Sequence, residues 1–179
     1  KNSRAWGNGM QCDDPVLGVG PLAADKLEQA NINPKTGLAT DYLNHFNEVV
    51  MLLEMLPAMP DCAEDVLGWA PLDYESHFEK STFTDKQLAI LAFHAAPVNL
   101  RTHLEQRVAQ IDAAVTEAQD MLRKTPDPSL MADQIAALAT NSIKPLISVA
   151  SGVIHGHVEG EAIQLEGDEA QAEIDAMFA

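Results

Sequence analysis

Between Pro97 and Lys124, Leu100, Leu104, Val108, Ile111, Val115, Ala118 and Leu122 recur at steps of three and four residues. On an α-helix that spacing lines them up as one apolar stripe, about 40 Å long at 1.5 Å per residue. No β-strand uses such a pattern, because a period of two would scatter the same residues over both faces. The stripe must be covered, so a second long element is required. It follows directly: Thr125-Pro-Asp-Pro128 makes a turn, Ser129 offers an N-cap, and Ile135, Leu138, Ile143, Leu146, Ile147, Val149 and Val153 supply apolar positions as far as Ile154. Two long helices joined by a short loop form an antiparallel hairpin. Pro145 is expected to kink its second arm by removing one N–H and crowding the preceding turn.

Two more helices complete the pattern. Thr40 reads as the N-cap of one over residues 41–56, with Leu43, Phe46, Val49, Val50, Leu53 and Leu56 on its apolar face, ended by Pro57 and Pro60. Thr84 reads as the cap of another over residues 85–95, and short helical turns fill residues 61–81, one of them capped by Asp73. The expected fold class is all-α: a helical bundle over residues 40–156, built on the long hairpin. Residues 1–39 are dense in Gly and Pro and read as an extended N-terminal arm, with a short helix near Leu22–Ala30 stopped before Asn31. Residues 157–166 read as an acidic linker tethering a C-terminal helix over 167–179. The stripe from Leu100 to Leu122 is near-heptad, so it suits self-association into a homo-oligomer as well as packing within one chain.

Charge then narrows the function. The chain carries 27 acidic against 11 basic residues, a formal net charge of −16. It is repelled by phosphate backbones and anionic lipid, which argues against nucleic acid and membrane surfaces as partners. Cys12 and Cys62 build neither a disulfide scaffold nor a zinc motif. No apolar run is expected to span a bilayer and no secretory leader is visible, so a reduced, cytoplasmic protein is expected.

The last 22 residues hold 7 of those acids and no Lys or Arg. Within them Asp168 can cap a short helix on which Ala170, Ile174, Met177 and Phe178 share one face, with acid opposite. Alone such a helix is marginal, so the pattern suits a segment that folds on docking into a groove. Residues Ala170-Gln-Ala-Glu-Ile-Asp-Ala-Met-Phe178 resemble the N-terminal receiver-binding segment of the flagellar switch protein FliM family. The resemblance rests on Gln171, Glu173, Ile174, Asp175, Ala176, Met177 and Phe178. Ala170 stands where that family has a serine cap, Met177 where it has leucine, and the segment is C-terminal, as in the CheZ phosphatases. The resemblance implies a CheY-like response regulator as partner, bound through Gln171, Glu173, Ile174, Asp175, Met177 and Phe178. It implies no cofactor beyond the Mg²⁺ that such a receiver carries.

CheZ-like phosphatases also need an acid and an amide one helical turn apart, to engage the receiver and align water with its acyl phosphate. Asp25 with Gln29 and Asp41 with Asn44 have such spacing. Both suit exposed helix positions equally well, so a phosphatase and a non-enzymatic adaptor, wrapping a partner with arm and tail, stay open. A third reading is a metal-binding bundle around His45 and Glu48, at the i, i+3 spacing of di-metal helices, with Glu54 further along. No second such pair accompanies them, and no metal ligand is assigned. His155-Gly-His157 suits a metal at the helix end and a cationic cap on its dipole equally, and no phosphate-binding loop or nucleophile elbow is present.

Overall fold

A computed structural model describes residues 16–158. Among them there is no strand, and the architecture is an all-α bundle. Its helices are α1 (Ala24–Gln29), α2 (Asn44–Met55), α3 (Ala63–Gly68), α4 (Tyr74–Lys80), α5 (Lys86–Ala95), α6 (Val98–Lys124), α7 (Ala132–Leu138) and α8 (Lys144–Ile154).

The long stripe forms the spine as expected. All of Leu100, Leu104, Val108, Ile111, Val115, Ala118 and Leu122 are buried within this one chain. Arg123 and Lys124 sit in the last turn, where the helix dipole favours positive charge. The chain then reverses, and α8 packs back along α6. The cap of the turn is Asp127 rather than Ser129: its Oδ1 accepts from both the backbone N–H and the hydroxyl of Ser129. Likewise Thr40 does not cap α2; it opens a 3₁₀ turn, Thr40–Leu43, that feeds the helix. Asp73 does cap α4, accepting from the Ser76 N–H at 2.8 Å.

The returning arm is not one continuous α-helix. Between α7 and α8, residues Ala139–Ile143 form a π-turn, in which the Lys144 N–H reaches back five residues to the Ala139 carbonyl. The cause lies in the sequence. Its buried residues Ile135, Ala139, Ile143 and Ile147 step by four each time, and on an ideal α-helix each such step drifts by about 40°. A wider turn cancels the drift and keeps all four facing the core. Pro145, which has no N–H to offer the Asn141 carbonyl, makes the local α-pattern dispensable just there.

Contrary to expectation, Ala132–Ile154 is long and apolar enough, by length and composition, to cross a membrane. It is nevertheless a one-sided helix here. Its core face packs against α2 and α6, while Asp133, Gln134, Thr140, Asn141, Ser142, Lys144 and Ser148 are exposed.

The expected arm is also corrected from residue 16 onward. Leu22, Leu27, Ile32 and Leu38 are fully buried in the common core. The α1 helix stops as expected, with Asn31 at φ 63° in the left-handed region. The Asn31 N–H bonds the Glu28 carbonyl, the Ile32 N–H bonds the Leu27 carbonyl, and Leu27 and Ile32 are buried beside them. Two bonds then tie this segment to distant elements: the Thr36 hydroxyl donates to the Ile154 carbonyl at 2.7 Å, and the Ala39 N–H donates to the Tyr74 hydroxyl at 2.8 Å. Gly37, at φ 76°, lets the loop lie against α5, for a Cβ there would meet the Ala92 carbonyl oxygen at 2.6 Å.

Candidate functional site

The sequence-derived candidates fall into different situations. Asp41 and Asn44 come together, but as structural partners. The Asn44 side-chain amide donates to Asp41 Oδ1 at 3.1 Å, and His77 Nε2 donates to Asp41 Oδ2 at 3.0 Å. This carboxylate therefore serves the contact between the start of α2 and α4, with both of its oxygens engaged. Asp25 and Gln29 are both exposed and one turn apart on α1, so they share an outward face. Gln171, Glu173, Ile174, Asp175, Met177 and Phe178 lie outside the described residues, as do the expected recognition helix and most of the linker; Val158, within that linker, is buried.

The His45–Glu48 reading finds no second half. The His45 ring stacks on Trp69 at 4.7 Å and donates through Nε2 to the Ala70 carbonyl, while the Trp69 indole N–H donates to the His45 carbonyl. Burial lowers the His45 pKa, which favours the neutral ring that this packing needs. Glu54 instead accepts from the Thr140 hydroxyl at 2.8 Å and pairs with Lys144 at 3.3 Å, bracing the π-turn. Among the described residues no group of three or more His, Cys, Asp or Glu is placed to hold a metal ion.

What the sequence did not suggest is a concentration of rings. The chain is only 5% aromatic, yet every Phe, Tyr and Trp of the described residues belongs to one network. Tyr42 meets Phe46 edge-on at 5.2 Å, Tyr74 stacks on Phe93 at 4.4 Å, and Phe78 links Tyr74 to Phe83. At the edge of this network lies a cleft of about 570 Å³, between the 71–75 segment and the first half of α6. Tyr42, Tyr74 and Phe93 contribute rings to its wall, and Leu72, Leu104 and Val108 contribute aliphatic surface.

Four acids line the same cleft, Asp73, Glu75, Glu105 and Asp112, and no Lys or Arg does. Two are committed to the fold: Asp73 caps α4, and Glu75 pairs with His94 at 2.8 Å. Asp112 differs. Its Oδ1 is covered and has no hydrogen-bond partner, and burial raises the carboxyl from 3.8 to about 6. The Tyr42 hydroxyl, donating to the Leu72 carbonyl, is held firmly protonated, first by burial and then by the negative charge of Asp112. Compared with known proteins, the chain matches no family model, no curated protein and no solved structure.

Proposed function

We propose that this chain captures a CheY-like response regulator, with residues 170–178 as the docking segment and the helical bundle as its carrier. One observation carries the reading: the order Gln171-Ala-Glu-Ile-Asp-Ala-Met-Phe178, which resembles the switch-protein segment apart from Met177 in place of leucine and would set an apolar face against an acidic one on a helix. Ile174, Met177 and Phe178 fill the receiver's groove, while Glu173 and Asp175 meet its basic rim and speed encounter. The bundle supports a carrier role, because its long stripe is consumed inside the chain. Capture, not hydrolysis, is the function proposed. Asp41 and Asn44 are engaged with each other and with His77, so any phosphatase step falls to the outward-facing Asp25 and Gln29.

The test is titration of a beryllofluoride-activated CheY-like receiver into the full chain and into residues 1–166, followed by calorimetry. Saturable binding that is lost on truncation supports capture. Equal heats from both chains would overturn the tail as the docking segment, and none from either would remove the receiver as partner. Phosphate release that falls on Asp25→Asn or Gln29→Ala would add a catalytic step; release unchanged by both leaves capture alone.

A further inference from the structure

We propose that the cleft between the 71–75 segment and α6 binds an aliphatic polyamine. The inference is independent of the receiver and rests on the cavity, its charge and its shape. At about 570 Å³ the cleft is within the range of small-ligand sites, about 300–1,000 Å³. Its walls are of two kinds. The rings of Tyr42, Tyr74 and Phe93 present apolar surface, with Tyr74 stacked on Phe93 at 4.4 Å and the Arg101 guanidinium over the Phe93 ring at 5.7 Å. The carboxylates around them have no Lys or Arg among the lining residues to answer them. An anionic ligand finds no complementary charge here. A single metal ion finds no group of three His, Cys, Asp or Glu placed to coordinate it among the described residues.

Spacing selects the elongated cation. Glu105 and Asp112, the two lining acids not committed to a cap or an ion pair, are seven residues apart on α6. Two helical turns put them on one side, separated along the axis by about 10.5 Å. Between them lie Val108 and Ala109, both lining the cleft. A chain of methylenes carrying ammonium groups near its ends matches acid, apolar stretch and acid in that order. The fold itself leaves Asp112 wanting a countercharge, since one of its oxygens is covered and unbonded.

The experiment is calorimetric titration of spermidine, with putrescine and methylamine alongside, into the full chain at physiological salt. One saturable site per chain is expected, preferring spermidine to methylamine. Asp112→Asn and Glu105→Gln should each weaken it by roughly tenfold or more, the scale of a charge-assisted contact. Glu117→Gln, an exposed acid of α6 outside the cleft, should leave it unchanged. Circular dichroism of each variant separates lost binding from lost folding, and Glu105, being exposed, carries the test if Asp112→Asn disturbs the core. Several weak sites per chain, equally sensitive to Glu117→Gln, would reduce the effect to attraction by a net charge of −16 and overturn the proposal. So would the absence of saturable heat with all three amines.

Discussion

Asp112 lies four residues beyond Val108, on the shoulder of the α6 stripe, and burial makes its charge costly. Tyr42, Asp73 and Glu105 line the cleft with it, and none of them offers a positive charge. Burial keeps it protonated up to about 6 instead of 3.8. Below pH about 4 folded and unfolded chains both hold that proton, and the site costs nothing. As pH rises to about 6 the unfolded chain ionises first, so stability falls, and above that the full cost is present. Asp112→Asn should therefore stabilise the chain near pH 8 by about 1–2 kcal/mol, a nominal value already reduced because water reaches a half-buried carboxyl. Near pH 4 it should gain almost nothing. Thermal melts at the two pH values check this, and equal shifts at both would contradict it. Gln119 is the opposite case, a buried polar residue fully used: its amide donates to the Val66 and Trp69 carbonyls, both at 2.9 Å, pinning the end of α3 to α6. Gln119→Leu keeps the bulk but strands both acceptors, so a loss of about 2–4 kcal/mol is expected in denaturant titrations. Neither residue announces itself in the sequence, where both look like wet-face positions of a long helix. The available signal was position: an Asp and a Gln flanking the apolar stripe, close enough to be drawn into contact when other elements pack there.

At the scale of elements, legibility followed periodicity. The α6 stripe was fully legible because seven residues obey one spacing over many turns, and only one structure puts them together. Ile111, at its centre and fully buried, should cost about 2–5 kcal/mol as Ile111→Ala, through lost transfer energy and the cavity left behind. The returning arm was legible as helical but not as interrupted. Four-residue steps and Pro145 are both visible, yet whether the chain answers with a kink or a π-turn depends on which face the neighbouring helices cover. The brace on that turn is a surface one. Glu54→Gln weakens the pair with Lys144, whose side chains are 31% and 54% exposed, so a loss below about 1 kcal/mol is expected in the same titrations. A larger loss would mean that the π-turn depends on Glu54 rather than on the buried residues it aligns.

The whole molecule is closed by the segment whose sequence looks least structural. Leu22, Leu27, Ile32 and Leu38 are scattered among Gly, Pro and Asn without helical or strand period, so nothing local reports that they are core. Their burial is set by long-range contacts: the 20–22 turn against α5, the loop at Gly37 against Ala92, and the Thr36 bond to Ile154 across 118 residues. That bond satisfies a carbonyl at the last turn of α8, so the beginning of the described chain holds its end in place. An arm and a core segment make different demands on truncation. A chain of residues 40–179 would lose an ornament under the first, keeping its melting transition. Under the second it uncovers α5 beside Ala92 and leaves the Tyr74 hydroxyl and the Ile154 carbonyl without their partners. Four fully buried aliphatic side chains alone are worth about 6–12 kcal/mol of burial, comparable with the entire stability of a domain. The expected outcome is loss of the cooperative transition in calorimetry, with helical signal partly retained because α6 keeps its own hydrogen bonds. A sharp melt within a few degrees of the full chain would show the bundle to be self-sufficient from residue 40. The same experiment bears on the two binding proposals differently. A polyamine site built from Tyr42, Tyr74 and α6 should disappear with the fold, whereas capture of a receiver by a segment at residues 170–178 should survive it.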